Sequence, residues 1–148
     1  MKKVDLYTDG ACSGNPGVGG YCAILIYNGF EKVISGFEQD TTNNRMELLA
    51  VIKGLEALKE SCEVNIYSDS QYVVDAFNKD WITIWQNNGW KTSAKKEVKN
   101  PDLWAKLLEF VSLHDVTFIK VKGHADNEYN NRCDKIAVEE YKKSQLIN

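Results

Sequence analysis

An α/β fold built on one mixed sheet is predicted for this chain of 148 residues, on three observations. Short alternating or apolar β-rich runs give way near residue 44 to a stripe of helical period. An Asn28-Gly29 pair stands between two such runs, and strand-like segments return later between helical ones.

Val4 to Thr8 reads as the first strand and ends at Asp9-Gly10, and Tyr21 to Tyr27 reads as the second. Gly10 to Gly20, with five glycines and Pro16, reads as a loop able to bend tightly and let backbone approach a ligand, although it is not G-x-G-x-x-G. The Asn28-Gly29 hairpin signal leads into a third strand, Glu31 to Phe37, which makes the first three strands an antiparallel meander. From Asn44 the residues Leu48, Leu49, Ile52, Leu55 and Leu58 share one face of a core-facing helix running to about Glu60. Val64 to Tyr67 is a fourth strand, Ser70 to Phe77 a short helix, and Pro101 to Leu113 a helix with proline near its start. Val116 to Val121 is a fifth strand, and Asp126 or Asn127 caps a last helix that buries Cys133, Ile136, Ala137 and Tyr141. The order is βββαβααβα, with a Trp- and Lys-rich insertion between Trp81 and Lys99. With no repeat or linker, residues 1–148 are expected to form one domain.

Composition restricts the function classes. Eighteen basic and twenty-one acidic residues leave a formal charge of -3, so any polyanionic partner has to be met by a local patch. Lys79 to Lys106 supplies one, with six lysines against Asp80, Glu97 and Asp102, although a solvated surface would look the same. Cys12, Cys22, Cys62 and Cys133 lack C-x-x-C spacing, and two histidines make no zinc pattern, so free thiols are expected. The opening residues form no apolar signal region and nowhere is there an apolar run of membrane-spanning length, which makes a soluble cytoplasmic protein the expectation.

Four acids stand where a sheet can gather them. Asp9 follows the first strand, Glu47 lies in the first turn of the long helix, Asp69 follows the fourth strand, and Asp134 lies within the last helix. Ligand sites of open α/β sheets collect at strand ends, and a crevice lined by carboxylates repels itself unless a hard divalent cation sits among them. Each acid also has an ordinary structural explanation. Glu47 is spaced from Asn44 as a capping-box partner, Asp69 precedes Ser70 as an N-cap would, Asp9 suits a turn and Asp134 a solvated helix face.

The surrounding residues decide between these readings. Tyr7-Thr8-Asp9-Gly10-Ala11, Gly14-Asn15-Pro16-Gly17 and Gly19-Gly20-Tyr21 resemble the opening of type I ribonuclease H of bacteria. Thr42-Asn43-Asn44-Arg45-Met46-Glu47-Leu48, Ser68-Asp69-Ser70-Gln71-Tyr72, Gly89-Trp90-Lys91-Thr92, Val121-Lys122-Gly123-His124 and Asn131-Arg132-Cys133-Asp134 follow in the family's order, so the likeness spans residues 3 to about 142.

That resemblance implies a ribonuclease H-like fold, a five-stranded mixed sheet of order 3-2-1-4-5 with helices on both faces. It implies an endoribonuclease that hydrolyses the RNA strand of RNA–DNA hybrids by in-line displacement, leaving 5′-phosphate and 3′-hydroxyl ends. Asp9, Glu47, Asp69 and Asp134 would hold two Mg²⁺ ions, or Mn²⁺ in their place, and His124 would help move a proton or release product. His114 matches no family block and is read as structural.

On the RNA strand the resemblance places Cys12, Gly14, Asn15, Asn43, Asn44 and Gln71, where amides and exposed backbone can bond 2′-hydroxyls. On the DNA strand it places Thr42 and Asn100 in a phosphate pocket and Trp81, Trp85 and Ser93 along a deoxyribose channel, while Lys91, Lys95, Lys96 and Lys99 grip the backbone. Core packing is the competing account of the indoles, and Trp81 is the one preferred for the channel. The chain departs from its relatives at Asp40, often an arginine beside that pocket, and at Gln86-Asn87-Asn88, often basic. A separate hybrid-binding module ahead of the first strand, as some relatives have, is not expected, nor is an obligate protein partner, and the chain is expected to be a monomer. The alternatives are another nuclease or strand-transfer enzyme of the same fold, integrase-like or junction-resolving, and a hybrid-binding module without activity. The complete acid set and the full series of blocks weigh against both.

Overall fold

A computed structural model describes residues 1–122 and 127–147. Five strands form one sheet of order β3-β2-β1-β4-β5: β1 (Lys2–Cys12), β2 (Gly17–Tyr27), β3 (Phe30–Thr41), β4 (Cys62–Ser68) and β5 (Asp115–Lys120). β1 lies between an antiparallel partner, β2, and a parallel partner, β4, which makes the sheet mixed as expected. The helices are α1 (Asn43–Glu56), α2 (Gln71–Asn78), α3 (Trp81–Asn87), α4 (Pro101–Val111) and α5 (Glu128–Ile147).

Alternation along the strands builds a core on each face. Val4 and Leu6 of β1 and Ala23 and Leu25 of β2 join Leu48, Val51, Ile52 and Leu55 of α1 and Leu103, Trp104 and Leu107 of α4 in the larger core. Tyr7, Cys22 and Ile24 point the other way and pack with Cys133 and Ala137 of α5. Helices therefore cover both faces, with α5 alone on the smaller core among the described residues. All four cysteines are free. His114 is structural, as expected: its Nδ1 accepts the Cys62 N–H at 3.0 Å, joining the segment after α4 to the start of β4.

Several boundaries differ from expectation, each for a physical reason. The glycine-rich stretch is mostly strand: the ladder continues through Gly10↔Tyr21, Ala11↔Gly20 and Cys12↔Gly19, leaving a short turn at 13–16. Its glycines serve packing. A Cβ on Gly10 would lie 2.5 Å from the Glu47 backbone nitrogen, and one on Gly20 would collide with the Ala137 carbonyl, so bare backbone lets α1 and α5 rest directly on the sheet.

α1 is capped by Thr42, whose Oγ1 accepts the Arg45 N–H at 3.3 Å, so the helix starts before Asn44, and it stops at Glu56, short of Glu60. A cap of this kind stabilises by about 1 kcal/mol. Ser70, not Asp69, caps α2 through its bond from Val73 N–H, which leaves the Asp69 carboxylate free of that duty. Asn127 Oδ1 accepts the Tyr129 and Asn130 N–H groups at the start of α5, while Asp126 lies outside the described residues. The Trp-rich insertion contains the extra helix α3, so the order is βββαβαααβα; Ile82 and Trp85 are its buried residues.

Candidate active site and nucleic-acid interface

β1, β3, β4 and β5 run in the same direction, so their C-terminal ends share one edge of the sheet. The β1–β4 ladder ends at Tyr7↔Tyr67, beyond which the strands part and leave carbonyls without a ladder partner. Asn130 of α5 fills this gap, donating through Nδ2 to Thr8 O at 3.3 Å and Tyr67 O at 3.1 Å. The asparagine thereby pins α5 to the point where β1 and β4 diverge.

Asp9, Glu47 and Asp69 meet there, each offering an oxygen within 4.8 Å of the others. Asp9 and Glu47 are buried and Asp69 half-buried. A single N–H, that of Gly10, donates to Asp9 Oδ1 and Glu47 Oε1, both at 2.9 Å. The absence of a Cβ on Gly10 allows this approach, since Glu47 begins its turn of α1 directly above that residue. Glu47 is therefore not acting as a capping-box partner; its carboxylate turns inward to the strand.

Three carboxylates so close cannot all ionise easily. Burial, aided by the charges of Asp69 and Asp134, raises the Asp9 carboxyl up to about 7, although its hydrogen bond with Glu47 and the Gly10 N–H act against the rise. Burial first, and then the Asp9 charge, push Glu47 well above the usual carboxylate range. Asp134, half-buried on α5, stands outside the tight group of three but is near enough for its charge to act on Asp9.

Among the described residues Glu47 Oε2, which is buried, has no hydrogen-bond partner. An orphaned carboxylate oxygen beside two more acids is a donor set fitted to a hard divalent cation, which satisfies the oxygen and removes the repulsion together. The acids thus fit Mg²⁺ or Mn²⁺. His124 lies outside the described residues.

The nucleic-acid residues surround neighbouring cavities. Asn15, Asn43 and Asn44, expected on the RNA side, share a cavity of about 530 Å³ with Thr42, Lys99 and Asn100, expected on the DNA side. One pocket therefore mixes residues from both sets. Asn15 Oδ1 accepts the Asn43 N–H at 2.9 Å, which leaves the Asn15 amide nitrogen as the outward donor. The Cys12 thiol donates within the turn, to Gly14 O at 2.6 Å, and Gly14 is exposed. Gln71 is exposed at the first position of α2.

A second cavity of about 250 Å³ is bordered by Tyr72, Trp85, Val98, Lys96 and Lys99. Trp85, rather than the preferred Trp81, reaches this cavity, and its ring also meets Trp104 edge-on at 5.3 Å. The indole thus belongs to core and cavity wall at once. Trp81 is half-buried beside it, with ring centroids 6.4 Å apart. Lys91, Ser93 and Lys95 line a third hollow with Asn88. Asp40 is exposed near the end of β3.

Sequence reasoning missed the shared Gly10 donor and the Asn130 bridge. The first leaves no mark but a glycine after an acid, while the second lies beside the Asn131-Arg132-Cys133-Asp134 block and is signalled only by it. It also gave no role to Arg45, Tyr72 or Trp104, which build a connected polar chain around Asn100.

The RNase H family model matches residues 1–142. The chain is 62% identical over 144 residues to the ribonuclease H of Acetivibrio thermocellus, covering 97% of this chain and 98% of that one. It is 64% identical over 137 residues to the ribonuclease H of Caldicellulosiruptor saccharolyticus, covering 93% and 94%. Among solved structures, LC9-RNase H1, described as a type 1 RNase H with the type 2 active-site motif, superposes with a TM-score of 0.80 at 28% identity, covering 97% of this chain and 74% of that one. Likeness of this length and closeness, on a sheet whose acids converge where its parallel strands end, shows that the chain belongs to the ribonuclease H family of nucleases.

Proposed function

We propose that the chain hydrolyses the RNA strand of RNA–DNA hybrids, cutting internally to leave 5′-phosphate and 3′-hydroxyl ends. The observation that carries this reading is the convergence of Asp9, Glu47 and Asp69 at the strand ends, around a buried oxygen that has no partner among the described residues. With Asp134 they would hold two Mg²⁺ or Mn²⁺ ions. When bound, such a pair supplies activation of the attacking water and stabilisation of the leaving 3′ oxygen.

The chain's own residues prepare that chemistry. The Gly10 N–H holds one oxygen of Asp9 and one of Glu47, fixing how both carboxylates face the crevice. Asn130 anchors α5, and so the place of Asp134 one turn further along. His124 moves a proton or eases product release in this reading. The cavity amides of Asn15 and Asn100 offer N–H donors suited to 2′-hydroxyl and phosphate oxygens. Trp85 gives a flat wall on which a sugar without a 2′-oxygen can lie. Residues 1–148 act as one catalytic domain and as a monomer. In this reading the work is done in the cytoplasm, a reducing compartment that suits four free thiols. Among the described residues no helix is long and apolar enough to cross a membrane.

The test incubates matched RNA–DNA, RNA–RNA and DNA–DNA duplexes with Mg²⁺, and with a chelator, and identifies the strand cut and the chemistry of its ends. Cleavage confined to RNA opposite DNA, and lost with the chelator, is the expected result. Cutting of DNA would favour a different nuclease of this fold. Binding of the hybrid without cutting would favour a binding module.

A further inference from the structure

Asn100 adopts a left-handed backbone, with φ 59°, at the N-cap of α4, yet its side chain makes no capping bond. It bridges two other helices instead. Its Oδ1 accepts from Arg45 Nη1 of α1 at 3.3 Å, and its Nδ2 donates to Tyr72 Oη of α2 at 3.2 Å. Trp104 Nε1 of α4 donates to the same Tyr72 oxygen at 3.0 Å.

Both ends of this chain of bonds are groups that only donate. Guanidinium and indole N–H have no acceptor capacity, so the Asn100 oxygen has to face Arg45 and the Tyr72 oxygen has to face Trp104. With the two lone pairs of Tyr72 Oη taken by Trp104 and Asn100, its own proton must point elsewhere. The amide of Asn100 is left with one uncommitted N–H, and Asn100 borders the cavity shared with Asn15, Thr42 and Lys99. A flipped amide would present a carbonyl oxygen there and repel an anion.

Arg45 is itself held. Its Nη1 and Nη2 donate to the two oxygens of Asp102 at 3.1 and 2.9 Å, so the guanidinium is spent on Asp102 and Asn100. The hydrogen bond between them raises the Arg45 value and lowers that of Asp102, keeping both charged.

We infer that Arg45, Tyr72 and Trp104 are positioning residues for substrate binding: Arg45, which can only donate, fixes which end of the Asn100 amide carries the oxygen, and Tyr72, held by Trp104, anchors the amide nitrogen, so that its remaining N–H is offered to a phosphate. This rests on the reading of the chain as a hybrid-cutting nuclease.

The test is a cycle of Tyr72→Phe, Asn100→Ala and the double variant, with KM and kcat measured on an RNA–DNA hybrid in Mg²⁺ and a thermal melt for each. Tyr72→Phe is expected to raise KM about three- to tenfold, the range of one oriented hydrogen bond, while kcat falls less than twofold. In the Asn100→Ala background the same change is expected to raise KM less than about 1.5-fold, because its target is gone. Arg45→Gln, which loses the forked grip on Asp102, should raise KM in the same background-dependent way.

Multiplying KM effects, an unchanged KM for Tyr72→Phe, or an equal loss in kcat would overturn the proposal. If Arg45→Gln does not fold, Tyr72→Phe decides alone, since it removes a single oxygen. A wild type that leaves the hybrid intact would instead sink the functional reading, so the two failures are distinct.

Discussion

Asp9 and Glu47 compete for the same N–H, that of Gly10, and neither is exposed to water that would screen their repulsion. This arrangement sets how the protein responds to pH and to metal. A carboxyl whose folded value is raised binds its proton more tightly when folded; its contribution to stability is complete below the unfolded value and is lost as pH rises through the folded one. For Asp9 that window runs from about 3.8 to about 7. In a chelator, stability should therefore fall across this range as the buried pair is forced to ionise. Asp9→Asn removes the titration and one charge while keeping size, so it should melt higher than wild type at about pH 8, by on the order of 2 kcal/mol, with the difference shrinking toward about pH 4.5. Mg²⁺ should narrow the gap by stabilising the wild type alone. In single-turnover assays the same variant should lose cleavage by several orders of magnitude, on the order of 10³-fold or more, while retaining most hybrid affinity. A gap independent of pH would sink the account of Asp9 as a strained acid, and near-normal cleavage would remove it from the site.

Among the elements, those with long periodic patterns are legible in the sequence and those set by tertiary neighbours are not. The meander, α1, α4 and α5 follow from the alternation, the helical stripes and the Asn28-Gly29 turn, because burial of one face repeats along the chain, whereas the strand order follows from the family blocks alone. The glycine stretch reads as a loop because glycine weakens strands locally, whereas here its value lies in what it lacks: Gly10 admits α1 and Gly20 admits α5. No local pattern reveals a neighbour that is 117 residues away in sequence, as Ala137 is from Gly20. α3 shows in the sequence only as a helical spacing of Trp81, Ile84 and Trp85, because seven residues are too few for a sustained period and Trp85 serves core and cavity at once. Among candidate site residues, Asp9, Glu47 and Asp69, which the fold brings together, stand in motifs visible in the sequence, while Asn130 and Tyr72 act through backbone and amide partners that only the folded sheet brings near. Gly20→Ala tests this element-level account. The added methyl has to push α5 off the sheet, so the variant should lose about 1–3 kcal/mol of stability. Because α5 carries Asn130 and Asp134, kcat should also fall at temperatures where the variant remains folded. A variant as stable and active as wild type would show that α5 has room to move.

For the molecule as a whole, a charge of -3 has to be reconciled with a polyanionic substrate. The answer lies in where the cations stand. Thr92 N–H donates to Lys96 O at 2.8 Å and Lys95 N–H to Thr92 O at 2.9 Å, while Lys91 and Glu97 form an isolated antiparallel bridge. These bonds fold the insertion into a tight turn that carries Lys91, Lys95 and Lys96 close together, with Lys99 following at the amide-lined cavity. Lys91 and Lys95 border one hollow, and Lys96 and Lys99 border the Trp85 cavity. Glu97 stands among these lysines and also borders the Trp85 cavity, but four cations against one acid leave a local positive field, which attracts phosphates over about a Debye length, roughly 10 Å at 0.1 M salt. Replacing Lys91, Lys95, Lys96 and Lys99 together by Ala should therefore weaken hybrid binding and flatten its salt dependence. For every phosphate no longer neutralised, the log–log slope should shrink by about 0.9, the value for a B-form duplex. Cleavage at saturating substrate should fall far less than affinity, since the charges that act on Asp9 and Glu47 are those of their fellow acids. The measurement is a binding titration at several salt concentrations in Ca²⁺, where cutting is expected to be suppressed, beside a saturated cleavage rate in Mg²⁺. A slope unchanged by the fourfold replacement would mean that the turn faces solvent and that the substrate is held elsewhere on the chain.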